Sequence, residues 1–124
     1  MTFQIKRVYE PAVPADGTRV LVDRLWPRGL RKADAKWVYW MKDVAPSPEL
    51  RRWFGHEPER FAEFSRRYKK ELRDNAALEP LRKLGRGNAV TLLYGAHDPT
   101  INHAAVLLSV LRGRAQARSA KSDT

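Results

Sequence analysis

The chain contains no cysteine. That excludes disulfides, thiolate metal ligands and a thiol nucleophile. Long apolar runs are also missing: none approaches the roughly 18 residues that a membrane-spanning helix needs. The first ten residues, MTFQIKRVYE, lack the apolar core of a signal peptide. Neither GxGxxG nor GxxxxGK[ST] occurs, so the two common phosphate-binding glycine loops are absent. Acidic residues are scarce beside basic ones, 14 against 24. These absences lead us to expect a cytoplasmic protein with no membrane association.

What is present fits one domain. A length of 124 residues, 43% hydrophobic and 31% charged, suffices for one core but not two. We expect a single domain over residues 1–112 and a basic tail over 113–124 without fixed structure. The formal net charge is +10. RGRAQARSAKSDT, from Arg112, holds four cations and one acid, so about +7 lies on the folded part. Such a balance favours anionic partners: nucleic acid, nucleotides or phosphorylated metabolites. Charge used only for solubility is the competing explanation.

Periodicity and punctuation give the elements. FQIKRVY (residues 3–9), RVLVD (19–23), WVYWMK (37–42) and AVTLLYG (89–95) read as strands, the second and last as short apolar runs covered on both faces. Asp16-Gly17 marks a turn between the first two. Ser47, Pro48 and Glu49 are the N-cap, first residue and acidic first turn of a helix closed by Gly55. Pro58 opens the longest helical pattern, in which Phe61, Phe64, Tyr68 and Leu72 form one buried stripe. ALEPLRKLG is a short helix whose start Pro80 obscures. The last helix has Asp98 or Thr100 as its cap and Gly113 as its stop. Strands separated by helices predict an α/β fold, a three-layer domain with a small, mostly parallel sheet flanked by helices.

In such sheets ligands bind outside the carboxyl ends of the strands. Three loops leave those ends: DRLWPRG, KDVAPS and GAHDPTINH. In the first, Asp23 is a candidate catalytic carboxylate. Arg24 and Arg28 can clamp a phosphate or carboxylate, and Trp26 can stack on a base or sugar. The bland reading has Asp23 paired with an arginine and Trp26 plugging the sheet. In the third, a helix N-terminus suits an anion, with donors from His97 and Asn102 and an acid/base in His103. Capping by Asp98 and a satisfied core histidine would explain the same residues. Lys42 and Arg51 would reach the same rim. A metal site from His56, His97 and His103 with Asp23 or Asp98 has no helical i, i+4 pair to support it; no metal ligand is assigned, and cofactor and metal dependence are left open. The run RRYKK reads as a solvated face that would meet nucleic-acid phosphate if it met anything.

The blocks DGTRVLVDRLWPRG, WMKDVAPSPELRRWFGHEPERFAEFSRRYKKEL and VTLLYGAHDPTINHAAVL resemble the YeaO-like branch of the family known as domain of unknown function 488. The resemblance runs in order through residues 3–111. It implies an α/β fold and bacterial relatives without a settled activity. It places signature blocks on Asp23–Gly29, Lys42–Ser47, Leu50–His56 and Asn102-His103. It also implies that cysteine chemistry is absent here, because longer relatives carry Cys-His-Arg where this chain has Asn102-His103-Ala104. His97 stands where close relatives would carry Lys or Arg.

Three functions compete at this level: binding of an anionic small molecule, with or without hydrolase or transferase turnover; nucleic-acid binding through the basic surface and tail; and a scaffold whose arginines only brace loops. No nucleophile is evident, so hydrolysis would need activated water. Oligomeric state is left open.

Overall fold

The structure, a computed structural model, describes residues 2–35 and 39–122, with side chains given for all of these except 34 and 114–122. Four strands form one sheet: β1 (Thr2–Arg7), β2 (Thr18–Leu21), β3 (Tyr39–Trp40) and β4 (Ala89–Tyr94). Their order is β1-β4-β2-β3 and every pairing is parallel. Among the described residues four α-helices accompany them: α1 (Pro48–Phe54), α2 (Phe61–Arg73), α3 (Leu78–Leu84) and α4 (His103–Ser122). The fold is the expected single α/β domain.

The topology decides which face each connection covers. The steps from β1 to β2 and from β2 to β3 move one way across the sheet, and the step from β3 to β4 moves the other way. Right-handed crossovers therefore fall on opposite faces. The β3–β4 connection carries α1, α2 and α3, and these pack with α4 against Phe3, Val20, Val22, Val90, Leu92 and Tyr94 as the main core. The opposite face, with Leu21, Leu93 and Val8, is covered by Trp26 and Leu30 of the connecting loops. The helical layer thus lies on one side of the sheet, and loops with 3₁₀ turns make the layer on the other.

That loop layer is pinned by a buried ion cluster. Asp16, 1% exposed, ends a 3₁₀ turn and accepts from Lys6 Nζ at 3.0 Å and from buried Arg19. Burial by itself raises a carboxyl pKa; hydrogen bonds from Lys6, the Val13 N–H and Arg19 outweigh it and hold Asp16 below its ordinary value. Gly17 follows with φ +63°, and a β-carbon there would lie 2.2 Å from the Ala89 carbonyl oxygen. Only glycine fits this turn.

The helix punctuation holds in α1 and α2. Ser47 Oγ accepts from Leu50 N (3.2 Å), Gly55 closes α1 in the left-handed region, and Phe64, Tyr68 and Leu72 are buried. Pro58 starts a 3₁₀ turn that leads directly into α2. Pro80 is the third residue of α3, within the first turn, where N–H groups have no intrahelical acceptor to lose.

Beside differences of one or two residues at the ends of β1, β2 and β4, three boundaries depart further from expectation. Of the strand expected over Trp37–Lys42, residues 37 and 38 lie outside the described residues, β3 is Tyr39–Trp40, and Lys42 begins a 3₁₀ turn. The cap of α4 is neither Asp98 nor Thr100 but Asn102, whose Oδ1 accepts from Ala105 N at 2.8 Å. Gly113 does not stop α4, which continues to Ser122; one glycine costs a helix only about 1 kcal/mol.

A candidate anion site at the carboxyl edge

The chain leaves β2 toward the loop face and leaves β4 toward the helical face. A crevice therefore opens between the carboxyl ends of these two central strands, the usual ligand position in open parallel sheets. Here it is a cleft of about 980 Å³. Asp23, two residues past β2, and Gly95, one past β4, close its floor. Asp23 Oδ2 accepts from Gly95 N at 2.9 Å, and a β-carbon at Gly95 would crowd that oxygen at 3.1 Å.

His103 opens α4 directly over this floor. Its Nε2 is 3.1 Å from the Val22 carbonyl and 3.1 Å from Asp23 Oδ1. Only the contact with Val22 has hydrogen-bond alignment; Oδ1 is buried without an aligned donor. Both neighbours are acceptors, so Nε2 carries a proton toward them. Nδ1 has no protein partner among the described residues. Asp23 and His103 are thus brought within 3.1 Å of each other at the floor of the cleft.

Five cations expected or found near this edge are used differently. Arg24 lines the cleft but spends Nε and Nη2 on the Pro46 and Ala45 carbonyls, each at 3.2 Å. Arg7, from the end of β1, donates to the Ala96 and Gly95 carbonyls and lies 5.0 Å over the Tyr9 ring. Arg28 and Arg51 line the cleft and are exposed, and their guanidinium groups have no protein partner among the described residues; the Arg28 carbonyl accepts from the Tyr9 hydroxyl at 2.6 Å. Lys42 is not among the lining residues; its ammonium lies 5.2 Å from the centre of the Trp40 ring.

The other expected residues divide between support and lining. Trp26 lines the cleft, donates Nε1 to the Leu30 carbonyl at 2.6 Å, and packs edge-on against Trp40. Trp40 in turn donates to the Asp23 carbonyl at 2.8 Å. Asn102, 1% exposed, caps α4 and donates Nδ2 to the Asp98 carbonyl. Asp98 accepts from the Ile101 N–H and from the Thr100 N–H and hydroxyl, which hold its carboxyl below the ordinary value. His97 lines the cleft and is exposed.

Sequence reasoning missed Arg7 and Tyr9 as lining residues, whereas LRRWFGH points Arg51 and His56 to this rim and both line the cleft. Arg7 and Tyr9 reach the cleft because β1 is next to β4, and strand order is not written in the local pattern. Beneath the rim, α2 braces the loop before α1. Glu71 accepts from Ser47 N (2.9 Å) and Ser47 Oγ (2.7 Å), and the buried Tyr68 hydroxyl donates to the Val44 carbonyl. Burial, then the charges of Glu71 and Asp23, push the Tyr68 phenol upward. Among the described residues, no group of three or more His, Asp or Glu is placed to hold a metal ion. Nor is any helix there long and apolar enough to cross a membrane.

A small parallel α/β domain with its cleft at the strand ends is shared by many unrelated proteins, and the comparisons narrow the class. A family model described as "Inactive DUF488-N3 subclade" matches residues 2–124. An uncharacterised protein of Mycobacterium tuberculosis (strain ATCC 25618 / H37Rv) is 53% identical over 111 residues, covering 90% of this chain and 94% of that protein. The uncharacterised protein YeaO of Escherichia coli (strain K12) is 44% identical over 113 residues, covering 90% of this chain and 98% of its own. The chain belongs to the DUF488 family, in its YeaO-like branch. No solved structure matches it significantly.

Proposed function

We propose that the cleft binds a small anionic ligand, phosphate- or nucleotide-like, and that binding rather than turnover is its main task. One observation carries this reading. Arg28 and Arg51, on separate segments, both line the cleft with guanidinium groups that no carboxylate or carbonyl of the described residues occupies. The neighbouring walls are largely apolar, with Leu25, Trp26, Pro46, Phe54 and Ile101. Few polar groups on an apolar cleft is the usual composition of a small-molecule site, and a planar guanidinium suits phosphate or carboxylate oxygens. Zero cysteines fit a cytoplasmic setting.

A hydrolase or transferase reading rests on Asp23 and His103, where Nδ1 could take a proton from water. No Ser, Thr or Cys lines the described cleft, and the matching family model is described as inactive. Both support placing binding first. Melting temperature against nucleotides and sugar phosphates at low and high salt tests the reading. A ligand that binds only the native state raises it by an amount that grows with the logarithm of its concentration over Kd. We expect a salt-resistant rise with one phosphate compound that is lost in Arg28→Ala and Arg51→Ala. His103→Ala should keep that rise. Turnover in the wild type, abolished in His103→Ala, would favour the enzyme.

A second reading, nucleic-acid binding, has its own observation. The solvent face of α2 presents Arg66, Lys69, Lys70 and Arg73 with Glu63 as its acid, and Glu63 pairs with Arg66 at 2.7 Å and Arg67 at 2.8 Å. This reading predicts shifts from every polyanion that disappear at high salt.

A further inference from the structure

We propose that His56 is a ligand contact of this cleft, meeting the oxygens of a phosphate monoester beside Arg51. The inference rests on the anion-site reading above but on a separate observation. Gly55 ends α1 at φ +54° and donates its N–H to the Arg51 carbonyl, an ordinary glycine helix stop. His56 then repeats the left-handed conformation at φ +59°, and it is the one non-glycine residue with positive φ among the described residues. A β-carbon in this region is strained, and glycine would make the same turn without that strain.

Nothing in the described protein compensates for the choice. The imidazole makes no hydrogen bond there, it is exposed, and its ring is only loosely placed against Phe54, with centroids 6.0 Å apart and planes 49° apart. Yet the side chain lines the cleft, as do Phe54 and Arg51. Strain held at a residue whose polar atoms find no protein partner is the pattern of a position kept for its side chain rather than its turn. Imidazole and guanidinium donors suit phosphoryl oxygens, and the adjoining apolar wall suits an organic body. The ligand class is therefore an organic phosphate monoester such as a nucleoside monophosphate, rather than free phosphate.

The test is calorimetric titration with adenosine monophosphate, with melting temperatures, on the full chain and on H56G, H56N and R51A. H56G should melt at or above wild type, because the strain is relieved. It should bind the probe about tenfold or more weaker, the loss of a hydrogen bond to a charged group. H56N, which tolerates the left-handed region and keeps a donor, should retain more affinity than H56G. Wild-type affinity in H56G together with loss in R51A would overturn the role of His56 and leave the anion site standing. A lower melting temperature for H56G, showing that His56 holds the turn, would also overturn it. No binding by the wild type would overturn the anion-site reading, and this inference with it.

Discussion

Asp16 is the residue on which the loop layer depends most. It is buried between two cations, so removing its charge leaves Lys6 and Arg19 facing each other without a counter-charge, with the Pro11 and Glu10 carbonyls still accepting from them. D16N should cost about 3–5 kcal/mol near neutral pH, the usual loss when one member of a buried pair is removed. The folded carboxyl titrates below its unfolded value. Its contribution is therefore complete above the ordinary carboxylate pKa and is lost as pH falls through the lower folded one. Urea unfolding across an acid series should show the gap between wild type and D16N closing only in strong acid; a gap independent of pH would contradict the assignment. Gly17→Ala should destabilise by at least about 1–3 kcal/mol from backbone strain, with the Ala89 carbonyl adding a clash. Sequence marks Asp16-Gly17 as a turn and nothing more. The partners of Asp16 come from β1 and β2, which are separated by β4, and no local signal carries that order.

At the scale of elements, α2 positions the arginine-bearing α1. Ser47→Ala removes a cap and should cost about 1 kcal/mol. Glu71→Ala strips partners from both the Ser47 N–H and its hydroxyl and should cost about 1–3 kcal/mol. It should also weaken anion binding through displaced Arg51, which Ser47→Ala should do less. Chemical denaturation and titration of the two variants check this. Helices α1 and α2 were legible because their signals agree: a serine–proline start, a glycine stop and one apolar stripe. The start of α4 was not, because Asp98, Thr100 and Asn102 are all competent caps within five residues. Tertiary packing chose Asn102, while Asp98 organises the preceding turn. β3 was the hardest strand, with two described residues at the sheet edge.

For the whole molecule, the position of the cleft was legible for a general reason. In a parallel sheet the loops after the strands converge at one edge, so DRLWPRG and GAHDPTINH had to meet. Which side chains are spent on bracing and which face the cleft was not legible, because Arg24 and Arg28 differ only in which carbonyls lie within reach. The net charge of +10 separates the two binding readings through salt. K69E/K70E on α2 should leave small-phosphate binding within about twofold, since both lysines are exposed, neither lines the cleft, and salt screens exposed charges. An equal loss of both would merge the two surfaces. The most direct test of the central claim is a backbone amide NMR titration with adenosine monophosphate at high salt. We predict saturable shifts confined to residues 23–28, 51–56 and 95–103. Shifts spread along α2, or none that survive the salt, would contradict an anion site at the carboxyl edge of the sheet.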